Sequence, residues 1–376
     1  MKHELCLLHV GMHKTGTTTL QCTLAQELRS GRFCYLRPDA APNPTETLFM
    51  LFRFREIETI LRENGLEEYR SLLETSREQN FKALEEQMRR SAPVGILSAE
   101  MMSDMDEDEA EALITFCRRF YREIRVLAYI RPPEEYVVSM MAQKAAEGFC
   151  AFDPETFYPH YRARFEKFDR ILGRNHVTLL PYGTLHGGDI VEDFRRRVGI
   201  DAKEIGERLE ANRSLSLEAL ALVWFYRRYG TDRRPSAARL HAEGRWIGQL
   251  RRESGRRFTL DPERLEALRR RHREDIRWME ERLGAPLRSR PPSAETIRLD
   301  TEETLLALGE TEARKRLHLA GVPLPETGER RLLADRLDRL IMRGITSERE
   351  DPTARLHAFL VSAMVPRTLR PPRQKR

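Results

Sequence analysis

No run in this sequence approaches the roughly 18 consecutive apolar residues that a membrane-spanning helix requires. The longest are Leu5–Val10, of strand length, and Leu215–Phe225, which Glu218 interrupts. A membrane span is therefore excluded from the reading. Cysteine is also scarce. The five residues Cys6, Cys22, Cys34, Cys117 and Cys150 are odd in number, widely spaced and form no C-x-x-C pair. That excludes a disulfide framework and argues against structural zinc. An excess of one charge is missing too, since 65 Lys+Arg face 59 Asp+Glu for a net +6. Such a balanced surface is not the one-signed field of a nucleic-acid binder, so no nucleic-acid partner is expected. Only eight of the 65 basic residues are lysine. The arginine richness suits an anionic ligand, and suits a bias in genomic base composition equally well. The N-terminus has no secretory form, because its first apolar run is short and leads into a glycine loop. A soluble, cytoplasmic chain is expected.

Apolar residues make up 40% of the 376 and charged residues 33%. The chain is globular and long enough for two or three units. Up to about residue 200, short apolar runs alternate with helical patterns. Strands are predicted at Leu5–Val10, Phe33–Leu36, Val94–Ser98, Arg125–Ile130 and Val177–Leu180. Helices are predicted over Thr17–Arg29, Arg53–Asn64, Leu66–Arg90, Asp106–Tyr121 and Pro132–Glu147. Strands separated by helices predict βαβ units, and so an α/β three-layer domain with a central parallel sheet flanked by helices. Beyond residue 200 the pattern is helical, at Leu215–Tyr229, Pro262–Leu283, Thr301–Leu319 and Arg330–Arg343. The expected organisation is an α/β domain over 1–290 and a helical C-terminal extension over 291–365. Residues 366–376, with three prolines and five basic residues, form a basic tail expected to be disordered. Oligomeric state is not legible.

The most informative segment is His9-Val10-Gly11-Met12-His13-Lys14-Thr15-Gly16-Thr17-Thr18-Thr19-Leu20. It leaves a buried strand, turns at Gly11 and Gly16, and enters a helix. Converging N–H groups and the helix N-terminus make such a turn an anion site, to which Lys14 adds a full charge and the threonines add hydroxyls. The nucleoside triphosphatase loop places glycine directly before Lys-Ser/Thr. Here His13 stands in that place, and the lysine precedes Gly16 by two residues.

This G-x-x-K-T-G-T-T-x-L pattern resembles the 5′-phosphosulfate loop of sulfotransferases that use 3′-phosphoadenosine 5′-phosphosulfate (PAPS). A second segment, Arg125 to Ser139, is similar to the family's 3′-phosphate motif. There, an arginine at a strand end and a serine eight residues later hold that phosphate, as Arg131 and Ser139 are spaced to do. The resemblance spans roughly residues 4–285 and implies a P-loop-like fold. It also implies PAPS as sulfuryl donor and transfer to a hydroxyl or amine acceptor, with carbohydrate as the guess by analogy. Lys14, Thr15, Gly16, Thr17, Thr18, Thr19, Arg131 and Ser139 would bind the donor. Tyr182, in Pro181-Tyr182-Gly183-Thr184-Leu185, matches a family tyrosine near the nucleotide, or is a buried structural residue. Arg256 or Arg257 could complete the clamp, while the Gly-Asp-Trp-Lys segment of animal members is absent.

Sulfuryl transfer needs positioning and electrostatics more than a metal, and none is expected: no H-E-x-x-H or Cys/His cluster stands in the sequence. Lys14 would stabilise charge on the bridging oxygen. An acceptor hydroxyl also needs a base. Glu100, just beyond a strand end, is one candidate and His13 is the rival; His9, inside an apolar strand, reads as a core residue. Two other classes stay open: a nucleotide or small-molecule kinase of related fold, and a non-catalytic nucleotide- or polyanion-binding protein.

Overall fold

Leu5 to Val10 enter a strand because both faces of that strand are covered, and a strand buried on both sides has no use for polar alternation. In the computed structural model this is β1 (His3–His9). The structure describes all residues except 1, 40, 64–66, 210–213, 231–236, 327 and 344–376. After β1 come α1 (Thr17–Glu27), β2 (Phe33–Tyr35), α2 (Thr45–Phe52), α3 (Phe54–Glu63), α4 (Arg70–Arg89) and β3 (Val94–Ser98). Then follow α5 (Glu107–Arg118), β4 (Tyr121–Ile130), α6 (Pro133–Ala146), α7 (Tyr161–Leu172), β5 (Val177–Pro181) and α8 (Ile190–Val198). The five strands pair in parallel in the order β2-β3-β1-β4-β5. Leu7, Ile96, Leu127 and Tyr129 pack with Leu20 and Leu24 of α1 and with Ile190, Val191 and Phe194 of α8. Alternate residues such as Leu8, Leu97 and Val126 face the other side, where α5 and α7 cover β4. This is the expected three-layer α/β fold with a central parallel sheet.

The chain leaves β1 toward β2 at one edge of the sheet and leaves β4 toward β5 at the other. The neighbouring strands β1 and β4 therefore send their loops apart, and a crevice opens beyond their C-terminal ends. Ligands of open parallel sheets bind in such crevices.

The remaining elements are α9 (Leu217–Tyr229), α10 (Ala237–Leu250), β6 (Phe258–Leu260), α11 (Pro262–Arg271), α12 (Arg273–Leu283), β7 (Ile297–Leu299), α13 (Glu302–Leu319) and α14 (Arg330–Ile341). By contacts the chain falls into two units, the first made of 1–136, 159–212 and 272–290, the second of 137–158, 213–271 and 291–376. The units interleave in sequence, so the division differs from a boundary at residue 290. Within the second unit α9 is buried over nearly its whole length, and α13 packs onto it closely. A Cβ on Gly309 would run into the carbonyl of Ala221 and the side chain of Phe225. The expected helix over Pro262–Leu283 is two helices, because the backbone of His272 departs from helical dihedrals (φ −101°, ψ 20°). Residues 344–365 of the expected extension, and the tail over 366–376, lie outside the described residues. Among the described residues, no helix is long and apolar enough to cross a membrane.

Candidate active site

The loop from β1 to α1 takes backbone conformations that open its N–H groups outward. Gly11 (φ 26°), Lys14 (φ 67°) and Gly16 (φ 79°) are all left-handed. For Lys14, which has a Cβ, this costs about 1 kcal/mol and marks a place where the surrounding structure dictates the turn. Gly16 is needed twice over: a Cβ there would be strained by its φ and would sit 3.2 Å from Ile190 and 3.7 Å from the Tyr182 hydroxyl. It also precedes α1 directly, with no side chain capping the helix and no acidic residue in the first turn. The first-turn N–H groups, which a helix cannot satisfy internally, therefore point into the crevice with their dipole intact.

The threonines divide the work. Thr15 is fully buried, and its hydroxyl donates to the Met12 carbonyl at 2.6 Å and lies 3.3 Å from the Thr17 hydroxyl. Those two groups brace the loop from inside, so Thr15 can reach a ligand only through its backbone. Thr19 is buried in the helix, and Thr18 is half-exposed.

Arg131 follows β4 directly and reaches across to the same loop. Its Nη1 donates to the Lys14 carbonyl at 2.7 Å, and its Nε to Glu135 at 3.2 Å. Its guanidinium lies 5.6 Å from the ring centre of Tyr182, and its own carbonyl accepts from Tyr161 at 2.6 Å. Lys14, Gly16, Arg131 and Tyr182 are thus brought together at the mouth of the crevice. Ser139 lies two turns along α6, in the stretch that belongs to the second unit. Arg256, also in the second unit, is paired with Glu218 at 2.6 Å.

The two rival bases turn out to be partners. Glu100 opens a single helical turn (Glu100–Asp104) after β3, and its Oε2 is 2.8 Å from His13 Nδ1. The other ring nitrogen, Nε2, is 3.2 Å from Asp104 Oδ2. Arg164 of α7 donates to Asp104 and, at 3.1 Å, to the Ser103 hydroxyl. Burial pushes the His13 pKa down, but the two carboxylates outweigh it and raise the value to about 9. Burial pushes Glu100 up; the charge and hydrogen bond of His13, aided by Lys14, hold it below the usual carboxylate range. Asp104 is likewise held well below that range against its burial, chiefly by Arg164 and then by His13. At neutral pH the site therefore carries an imidazolium between two carboxylates.

Beneath it lies a buried polar layer. His9 Nδ1 meets the Ser98 hydroxyl at 2.8 Å, and Gln21 donates to the Ser98 carbonyl at 3.0 Å. Burial lowers the His9 pKa to about 4, although Glu100 opposes the shift, and the ring packs edge-on to Tyr129 and Phe194. His9 is a core residue, as read from its strand, but His9 Nε2 and Gln21 Oε1 have no hydrogen-bond partner among the described residues. Asp104, Arg164 and Gln21 carry no signal in the sequence that marks them as site residues. They meet the site across 60 residues of chain or more, and no motif spacing announces them.

The shifts make a pH prediction. The His13 pKa in the fold lies above its ordinary value, so its contribution to stability is complete below about pH 6.5 and is lost as pH rises through about 9. Between pH 6 and 9.5 the wild-type protein should lose up to roughly 3 kcal/mol more stability than His13→Gln. Parallel losses in denaturant titrations of the two proteins would contradict the assignment.

No protein-family model matches the chain, and no curated protein does. Among solved structures it is similar to the sulfotransferase domain from the Synechococcus PCC 7002 olefin synthase. The two are 15% identical over 86% of this chain and 98% of that domain, with a TM-score of 0.30. So loose a likeness carries no argument about activity, and the functional reading rests on the site's own geometry.

Proposed function

We propose that the protein is a sulfotransferase that moves a sulfuryl group from PAPS to an acceptor hydroxyl, with carbohydrate hydroxyls the first acceptors to test. The observation that carries this reading is the meeting of Arg131 with the Lys14 carbonyl at 2.7 Å. Arg131, at one strand end, thereby borders the loop that carries Lys14 at the other, so that two cationic residues lie beside one helix N-terminus, a setting that suits a ligand with two phosphates. Gly16 lets the loop pack against Ile190 of α8, where a Cβ would press at 3.2 Å, and so helps to fix the turn whose N–H groups would meet a phosphate.

The loop N–H groups over Thr15–Thr19 hold the 5′-phosphate. Arg131 takes the 3′-phosphate, and Tyr182 lies against the nucleotide. Lys14 stabilises the negative charge that grows on the bridging oxygen. Glu100 Oε1 bonds no donor among the described residues and accepts the acceptor's proton. The acceptor oxygen bonds to sulfur as the bond from sulfur to the bridging oxygen breaks, and that electron pair leaves with 3′,5′-adenosine bisphosphate. His13, with both nitrogens donating, has no lone pair for the proton and serves instead to hold Glu100 ionised.

Arg131→Ala tests this arrangement. The variant should accept PAPS and its analogue lacking the 3′-phosphate almost equally, because a bidentate guanidinium contact is what recognises that group. Transfer from sulfur-labelled donor to a panel of acceptors measures both rate and discrimination. Undiminished discrimination in Arg131→Ala would show that Arg131 does not recognise the 3′-phosphate.

A further inference from the structure

Asp104 stands on the far side of His13 from Glu100 and takes no part in the proton transfer itself. Three observations tie it to the site. Its Oδ2 takes the His13 nitrogen that Glu100 does not, at 3.2 Å. Its Oδ1 is bound by Arg164, whose guanidinium also holds the Ser103 hydroxyl at 3.1 Å and the Pro159 carbonyl. Lys167, buried beneath, donates to the Ser103 carbonyl at 2.8 Å, so the turn carrying Glu100 and Asp104 is clamped from α7 by two cations.

We propose that Asp104, anchored by Arg164, is a positioning residue that locks His13 as an imidazolium and thereby aims Glu100 at the acceptor. A neutral imidazole carries one proton and could donate to one carboxylate only. With both nitrogens facing carboxylates, the arrangement is complete only when the ring is doubly protonated. Ring rotation is then blocked at both ends, and Glu100 Oε2 is committed to His13, leaving Oε1 for the acceptor. The other charged groups around the chain of contacts are consistent with it. Glu100 faces Lys14 and His9, while Asp104 faces Arg53 as well as Arg164. Lys167 senses Asp104, Asp106 and Glu109, and Tyr136 senses Arg164, Asp104 and Glu100.

The inference rests on the sulfotransferase reading for its catalytic consequence, but its charge state can be measured without any substrate. In histidine-labelled full-length protein, the ¹³C resonance of His13 is assigned by its loss in His13→Gln and followed with pH. The wild-type midpoint should lie near 9. Asp104→Asn should lower it by at least about one unit, and Asp104→Glu should restore most of the shift. In transfer assays Asp104→Asn should lose about tenfold in kcat with donor KM unchanged, and its alkaline limb should move down with the resonance midpoint. A wild-type midpoint near 6.5 overturns the proposal whether or not the variants fold. So does an Asp104→Asn protein with an unmoved midpoint and full kcat, while measured transfer would leave the sulfotransferase reading standing. If instead His13 titrates as expected but no acceptor receives sulfur, the lock stands and the sulfotransferase reading falls.

Discussion

Lys14→Ala should lower sulfuryl transfer by about 10²–10³-fold, the loss that follows removal of one preorganised donor from a developing oxyanion. The charge sits in a loop already fixed by Gly11, Gly16 and the buried Thr15 hydroxyl, so the groups around it need not reorganise when charge develops. Folding should hardly change. The side chain is only half-buried, and alanine meets the same left-handed backbone penalty at φ 67° that lysine already bears. Most of the loss should fall on kcat rather than on donor KM, because the bridging oxygen gains its charge only in the transition state. Near-normal transfer by Lys14→Ala would remove the lysine from the mechanism.

Glu100→Gln is expected to have the larger effect, about 10²–10⁴ in turnover, the range for a positioned general base. Glutamine keeps the shape and can still accept from His13 Nδ1 at the 2.8 Å position, while the basicity is gone. The substitution also removes one of the two charges that hold His13 protonated, so a modest stability loss should accompany it, and the two effects need separate readouts. Donor affinity should stay near the wild-type value. The contrast with His13 is informative. If histidine were the base, His13→Ala would abolish turnover while Glu100→Gln retained it. The limb of the pH–rate profile would then sit near 9, where the flanking carboxylates hold the imidazole, and not near its ordinary 6.5. With Glu100 as base, the acid limb lies below the usual carboxylate range, following the direction of its shift.

The parts of this architecture that local sequence encodes are legible in the sequence itself. The strands β1, β3 and β5 and the second half of β4 are apolar over most of their length, and a parallel sheet covered on both faces writes that signature directly. The anion loop was legible for a similar reason, since glycines, lysine and threonines at a strand-to-helix turn describe one local geometry. What escaped is either featureless or distant. The helix α2, Thr-Glu-Thr-Leu-Phe-Met-Leu-Phe, is short and keeps its apolar residues in one block, so no helical period shows, and β6 and β7 are three residues each. Glu100 and His13 could be named as rivals but not as a bonded pair, because 87 residues separate them. The Arg164–Asp104 anchor depends on how α7 packs beside the turn after β3, which no periodicity reveals. The interleaving of the two units is equally non-local, for α9 and α13 are helices whatever they pack against.

If the loop around Lys14 and Arg131 form a site for a nucleotide phosphorylated at both the 3′ and 5′ positions, thermal unfolding of the full chain should respond differently to 3′,5′-adenosine bisphosphate and to ATP with Mg²⁺. At about 100 times its dissociation constant the bisphosphate should add about 2.7 kcal/mol of stability. Arg131→Ala should weaken its binding, and ATP with Mg²⁺ at the same concentration should stabilise far less. Stabilisation by ATP with Mg²⁺ and none by the bisphosphate would contradict the account and indicate a kinase-like site instead.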